Sequence, residues 1–173
     1  MVSMNWVGLS GVQTLRRHTD LSIHGHRNGY GAMNRHPTLG IGVRAYQTLY
    51  RLAGVDHLHV HGMGGKFADT DEEVTEAARH CLTPLGAEDD RVMPVFSSGQ
   101  WAGTLAHTLR QTGSDDLMFL AGGGIMAHPS GPAAGIASLR QAYDAHAEGI
   151  SLEEKARSHP TLAEALAKFG PTA

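Results

Sequence analysis

Histidine and arginine side chains stand where two short apolar segments of the chain end. His26 and Arg27 come at the end of segment 21–26, and His59 comes near the end of segment 56–60. An arginine guanidinium offers a planar fork of donors that matches a phosphate, and a histidine can donate to an oxyanion or move a proton near neutral pH. These residue types predict the binding of a phosphorylated, carbonyl-bearing ligand.

Serine, lysine and glycine residues occupy similar places further along the chain. Ser97 ends segment 92–97, Lys66 lies in the glycine-rich stretch HGMGGKF, and Gly122 and Gly123 open the stretch GGGIMAHPSG. Such a lysine could close over a bound ligand on a mobile loop, and bare glycine backbone lets N–H groups approach a phosphate. An ordinary surface lysine and a tight turn are the alternatives.

Short apolar segments alternate with helical patterns, which is typical of βα units. The pattern predicts about five strands, each followed by a helix. Thr70 and Glu73 form a capping box before a helical stripe that includes Cys81, which we interpret as a buried structural thiol. Sites in parallel α/β folds are built at the carboxyl ends of the strands, where these polar residues are predicted to lie. The predicted strands are Val2 to Asn5, Leu21 to His26, Asp56 to Val60, Val92 to Ser97 and Leu117 to Ala121.

The composition is that of a globular protein: 41% of the residues are hydrophobic and 18% are charged, with a net charge of -3. The length predicts one domain over residues 1–173. Without a basic patch, partners such as nucleic acid or an anionic membrane are not expected. Neither a signal peptide nor an apolar run of about 18 residues is found, which predicts a cytoplasmic protein.

Four segments resemble, in order and spacing, consecutive strand-end motifs of the Rubisco large-subunit catalytic barrel. They are HGHRNGYGAMNRHPTLGI, LAGVDHLHVHGMGGKF, MPVFSSGQW and AGGGIMAHPSGPAAG. The resemblance runs from about Met1 to Gly149, and the tail is similar to the helices that close the family's barrel. It implies an α/β fold, an incomplete (β/α)8 TIM barrel of about the last five βα units of a Rubisco-type catalytic domain.

The resemblance also implies a role for each candidate residue. His26, near the reacting carbons, and Lys66, on the loop that closes over substrate, would be catalytic. The residues that would bind substrate, chiefly its phosphates, are Arg27, His59, Ser97, Gly99, Gly122 and Gly123. In the family the position of His24 has a structural role, so His24 is expected to be a core residue rather than a site residue. The resemblance implies no role for His61.

Two departures from the carboxylase pattern make the chain more similar to the Rubisco-like proteins (type IV). Tyr30 stands where carboxylases have a histidine of the site rim, and Ser98 stands where they have a glycine. The resemblance therefore implies a protein that binds a phosphorylated keto-sugar or keto-sugar acid for Mg-dependent enolisation, isomerisation or carboxylation/decarboxylation-type chemistry. Family members form homodimers.

A complete barrel of this type has eight strands and about 250 residues. The resemblance therefore implies that an N-terminal domain and the first three barrel strands are absent from this sequence. In the family the second strand supplies the ligands of Mg2+, and no matching strand end occurs here. Mg2+ is thus expected for the complete enzyme, with its ligands outside this chain, and the chain alone is expected to be inactive.

Three hypotheses of different classes follow. The first is a Rubisco-like enzyme whose remaining part lies elsewhere. The second is a non-catalytic remnant, or a subunit that needs the missing half-barrel from another chain. The third is a metal binder, because strand alternation would put His57, His59 and His61 on one face with His24 and His26 nearby, although no carboxylate or cysteine joins them at ligand spacing.

Overall fold

Strands and helices alternate from the first residues onward in a computed structural model that describes residues 1–36, 38–65, 69–86 and 90–170. Lys66 lies outside these described residues. Within them, no helix is long and apolar enough to cross a membrane. The elements are β1 (Val2–Ser3), α1 (Met4–His18), β2 (His24–His26), α2 (Gly31–Asn34), α3 (Val43–Ala53), β3 (His57–His59), α4 (Asp71–Leu82), β4 (Met93–Ser97), α5 (Ala102–Thr112), β5 (Met118–Leu120), α6 (Gly122–Met126), α7 (Gly131–Glu148), α8 (Leu152–Ala156) and α9 (Pro160–Phe169).

The five strands form one sheet in the order of the chain, β1-β2-β3-β4-β5. Strands β1 to β4 run parallel to their neighbours, and the register sets Val2 opposite Gly25 and His59 opposite Val95. Parallel strands need a crossover connection, which α1, α3 and α4 supply in turn. The predicted α/β fold of βα units is confirmed.

The chain divides into two compact units, each defined by its internal contacts. The first unit comprises Met1–Val60 and Glu76–Val95, and the second comprises His61–Thr75 and Phe96–Ala173. The assignment of residues 1–173 to a single domain stays a prediction. The core of the first unit includes Met4, Tyr46, Tyr50, Leu58, Ala78 and Val95, and that of the second includes Trp101, Leu105, Leu109, Ala142 and Leu162.

Segment 21–26 forms a shorter strand than its apolar pattern predicts. The Ile23 N–H donates to the side-chain carboxylate of Asp56 at 2.6 Å, whereas its carbonyl accepts from the N–H groups of Asp56 at 2.9 Å and His57 at 3.2 Å. The same carboxylate pairs with Arg16 of α1. Strand β2 therefore begins only at His24.

Cys81 lies in α4 as the helical stripe predicts. Its side chain is buried, and the Gln47 amide donates a hydrogen bond to its sulfur at 3.3 Å. Burial raises the pKa of the Cys81 thiol to about 12. The thiol therefore stays protonated at neutral pH, which fits a structural role and not that of a nucleophile.

Candidate functional site

Four histidines share one face of the sheet in the first unit, because side chains alternate along β2 and β3. They are His24, His26, His57 and His59, and the register sets His24 opposite His57. Gly25 points to the other face, where a Cβ atom would lie 2.7 Å from the Met4 sulfur. We call these four histidines, together with Arg27, the histidine–arginine cluster.

The rings of the histidine–arginine cluster contact one another. The ring centroids of His59 and His26 are 4.3 Å apart, and those of His59 and His24 are 4.8 Å apart. His24 also meets His57 edge-on at 5.6 Å. His59 is 5% exposed, so its polar atoms are largely removed from water.

Hydrogen bonds and burial define the protonation of the His26 and His24 rings. The Asn28 N–H donates to His26 Nδ1 at 3.0 Å, so a neutral His26 ring carries its proton on Nε2 and can donate from there. Burial, and after it the charge of His57, lowers the pKa of His24. His24 is therefore a neutral ring at neutral pH.

Arg27 lies over an aromatic ring. The Arg27 side chain is 4% exposed, and its Cζ atom lies 5.3 Å from the centroid of the Tyr30 ring. Tyr30 is itself 2% exposed; it packs against Tyr46 at 4.6 Å between centroids and donates its hydroxyl to the Ile41 carbonyl at 2.7 Å. The expected place of Tyr30 at a site rim is therefore corrected: it supports the guanidinium from beneath by a cation–π contact.

His61 lies outside strand β3. Strand β3 ends at His59, and His61 adopts a left-handed backbone with φ of 69°, so strand alternation no longer sets its direction. Its ring pairs with the Asp69 carboxylate within the second unit. The prediction that His57, His59 and His61 share one face is wrong for His61.

Among the described residues, no group of three or more His, Cys, Asp or Glu side chains is arranged to hold a metal ion. The histidine–arginine cluster therefore does not fit the metal-binding hypothesis. Mg2+ prefers oxygen ligands, and the described residues gather no such set. That the complete enzyme needs Mg2+, with its ligands outside this chain, stays a prediction.

The end of β4 presents bare backbone in the second unit. Ser97 donates its N–H to the His61 carbonyl at 3.2 Å, and both Ser98 and Gly99 then adopt φ of 75°. A Cβ atom on Gly99 would meet no other described atom within 4 Å. Gly99 is exposed, and the Cβ side of its backbone is not covered by other described atoms.

Replacing Ser98 by glycine is expected to raise the free energy of unfolding by a few tenths of a kcal/mol to about 1 kcal/mol. A left-handed backbone costs a non-glycine residue roughly 1–2 kcal/mol, and the more flexible unfolded state of the glycine variant returns about 0.4–1 kcal/mol of this. Urea unfolding followed by tryptophan fluorescence measures the change. Ser10, which is exposed within α1, is the control, and Ser10→Gly should lose stability because glycine is unfavourable inside a helix. A loss of similar size in Ser98→Gly would contradict the assignment of strain.

Three consecutive glycines open α6 and have different surroundings. A Cβ atom on Gly122 or Gly123 would meet no described atom within 4 Å. A Cβ atom on Gly124 would lie 2.6 Å from the Gln100 carbonyl oxygen, to which Gly124 also donates its N–H at 3.2 Å. Because the first N–H groups of a helix have no intrahelical acceptor, Gly122 and Gly123 are suited to a ligand, while Gly124 is required for packing.

Gln100 is a functional candidate that the sequence interpretation did not single out. It is fully buried, and its Nε2 donates to the Met63 carbonyl at 3.2 Å and to the Ser98 carbonyl at 3.0 Å. The side chain therefore joins the loop after β3 to the loop after β4 inside the second unit. A glutamine between the SSG segment and the apolar pair Trp101 and Ala102 was the available signal.

Comparisons with known proteins connect this arrangement with one family. Residues 1–169 match the family described as ribulose bisphosphate carboxylase large chain, catalytic domain. The chain is 53% identical, over 99% of its length, to an uncharacterized ribulose bisphosphate carboxylase-like protein of Bordetella bronchiseptica. It is 49% identical, over 96% of its length, to the 3-oxo-isoapionate-4-phosphate transcarboxylase/hydrolase of Xanthobacter autotrophicus.

A solved structure supports the same relationship. The crystal structure of a rubisco-like protein from Burkholderia fungorum superposes on 95% of the chain with a TM-score of 0.92 and 58% sequence identity. The chain spans 41% of that protein, 41% of the Bordetella protein and 40% of the Xanthobacter protein. The chain thus corresponds to about two fifths of the length of the proteins that it matches.

Proposed function

Because the chain belongs to the family of ribulose bisphosphate carboxylase large-chain catalytic domains, we propose that it supplies phosphate- and oxyanion-binding groups to a Rubisco-like enzyme. The observation that carries this proposal is Arg27, a buried guanidinium held on the Tyr30 ring directly after the strand that bears His24 and His26. A buried arginine whose guanidinium plane is held by an aromatic ring is oriented to donate two parallel hydrogen bonds to an anion such as phosphate.

The proposed substrate class is a phosphorylated keto-sugar acid. The Xanthobacter relative is named for 3-oxo-isoapionate-4-phosphate, and 49% identity supports the same class of ligand here. When a carboxyl group leaves from the carbon adjacent to a ketone, as in a 3-oxo acid, the electron pair of the broken C–C bond remains as an enolate. Enolisation or isomerisation of a keto-sugar phosphate produces the same kind of anion. Positively charged groups and hydrogen-bond donors stabilise such an anion.

Each candidate residue has a proposed task. In the first unit, Arg27 and His59 bind phosphate or a substrate oxygen, and the Nε2–H of His26 donates to an oxygen near the reacting carbons. In the second unit, Ser97 contacts a substrate hydroxyl, and the N–H groups of glycines donate to phosphate. Those glycines are Gly99, Gly122 and Gly123. Lys66 keeps its predicted role as the cation of a closing loop.

The proposal is tested by titrating the full 173-residue chain with ribulose 5-phosphate and with ribulose in a calorimeter. Charge-assisted hydrogen bonds to phosphate are each worth about 1.5–3 kcal/mol, so the phosphate ester should bind at least about tenfold more tightly than the free sugar. Affinity for the ester should fall with added salt, because the attraction is between charges. Equal affinities for the two compounds would refute phosphate binding by this chain.

A further inference from the structure

A hydrogen bond joins two imidazole rings of the histidine–arginine cluster. The Nε2 atoms of His24 and His59 are 2.7 Å apart, although the residues are 35 positions apart in the chain. A neutral imidazole has one nitrogen that donates and one that accepts, whereas in an imidazolium both nitrogens donate. One of the two Nε2 atoms must therefore carry a proton and the other must lack one. The pair can hold at most one positive charge while the bond exists.

The surroundings decide which ring stays neutral. Burial is the largest influence that lowers the pKa of His24, followed by the charges of His57 on β3, the chain's amino terminus and His26 on β2. His24 is therefore poorly suited to carry the charge. Either tautomer of a neutral pair keeps the bond between the two Nε2 atoms, and in both cases the bond fixes the orientation of the His59 ring.

We propose that His24 is a positioning residue that orients the ring of His59 through this hydrogen bond, so that His59 binds an anion more tightly. This inference rests on the proposed role of His59 in phosphate binding, and it assigns to His24 a task beyond packing. A second ring is the natural comparison, because His57 also meets His24 edge-on and would share a purely packing role.

Spectroscopy on the wild-type chain tests the bond itself. In the 173-residue chain labelled with 15N histidine, we expect a scalar coupling between His24 Nε2 and His59 Nε2 across the shared proton. His24→Phe keeps a ring of similar size but has no nitrogen, so the coupling should vanish and the 15N shifts of His59 should change. His57→Phe should leave the His59 shifts unchanged. Absence of the coupling in the folded wild-type chain would overturn the inference.

The affinity of the chain for an anion tests the expected effect of the His24–His59 hydrogen bond on binding. Inorganic sulfate serves as the probe, because its charge stays constant across the pH range in which histidine titrates. His24→Phe should weaken sulfate binding by up to about tenfold, because the His59 ring loses the hydrogen bond that orients it. His24→Gln, which places an acceptor oxygen near the former Nε2, should restore most of the affinity.

Two results separate the inference from the proposed function. If His59→Gln weakens sulfate binding but His24→Phe does not, the positioning role is wrong and the binding role of His59 stands. If His59→Gln binds sulfate like the wild type, the binding role of His59 is wrong and the inference falls with it. Equal losses in His24→Phe and His57→Phe would mean that both rings act by packing, which also overturns it. Circular dichroism of each variant checks that the fold is retained.

Discussion

Arg27→Ala is expected to weaken the binding of inorganic phosphate or a sugar phosphate by about 10- to 100-fold. The substitution removes a buried guanidinium that lies on the Tyr30 ring, and each charge-assisted bond to phosphate contributes about 1.5–3 kcal/mol. Calorimetric titration with phosphate measures the loss. Because the anion meets fewer cations, the salt dependence of the remaining affinity should also be shallower.

Two further variants make the Arg27 result specific. Arg27→Lys keeps the charge but loses the planar fork, so its affinity should lie between those of the wild type and Arg27→Ala. Arg35, which is exposed at the end of α2, is the matched control, and Arg35→Ala should bind phosphate normally. Similar affinities in Arg27→Ala and Arg35→Ala would show that phosphate binds elsewhere.

The glycines that open α6 should respond differently to the same change. Gly124→Ala is expected to lower the free energy of unfolding by about 1–3 kcal/mol, because its Cβ atom would overlap the Gln100 carbonyl and the Trp101 side chain. Gly122→Ala and Gly123→Ala should keep or slightly raise stability, since alanine favours a helix by roughly 1 kcal/mol over glycine. In these two variants the methyl group should instead obstruct phosphate, which lowers its affinity.

Denaturant unfolding and phosphate titration on all three variants distinguish packing from binding. The expected pattern is lost stability only in Gly124→Ala, and lost affinity with intact stability in Gly122→Ala and Gly123→Ala. Intact stability in Gly124→Ala would contradict the close approach of the backbones. Full affinity in both of the other variants would remove the two glycines from the proposed site.

Local sequence signals predicted the regular elements well. The capping box of α4 is present, with the Thr70 N–H donating to the Glu73 carboxylate at 2.8 Å and the Glu73 N–H donating to the Thr70 hydroxyl at 3.2 Å. Both bonds join residues three positions apart, so the local sequence is sufficient to predict this capping box. Helices α2 and α6 were not predicted, because short glycine-containing helices have no apolar periodicity to reveal them.

The site was predicted in its residue types but not in its contacts. Neither the burial of Tyr30 nor its place beneath Arg27 could be inferred, because both depend on Ile41 and Tyr46, which lie on other segments. The bond between His24 and His59 likewise depends on the register of β2 and β3 and on side-chain rotamers. Residue spacing fixes which strand end carries a side chain, whereas distances between strands follow only from packing.

The Gln100 side chain has a consequence for protein engineering. Its amide holds the Met63 and Ser98 carbonyls together, and a Cβ atom on Gly62 would lie 1.9 Å from the same amide nitrogen. A designer who grafts the loop after β3 from a relative would therefore also have to transplant the residues that follow β4. The two loops should therefore be exchanged together. A chimera that takes them from different parents should reproduce the loop geometry of neither parent.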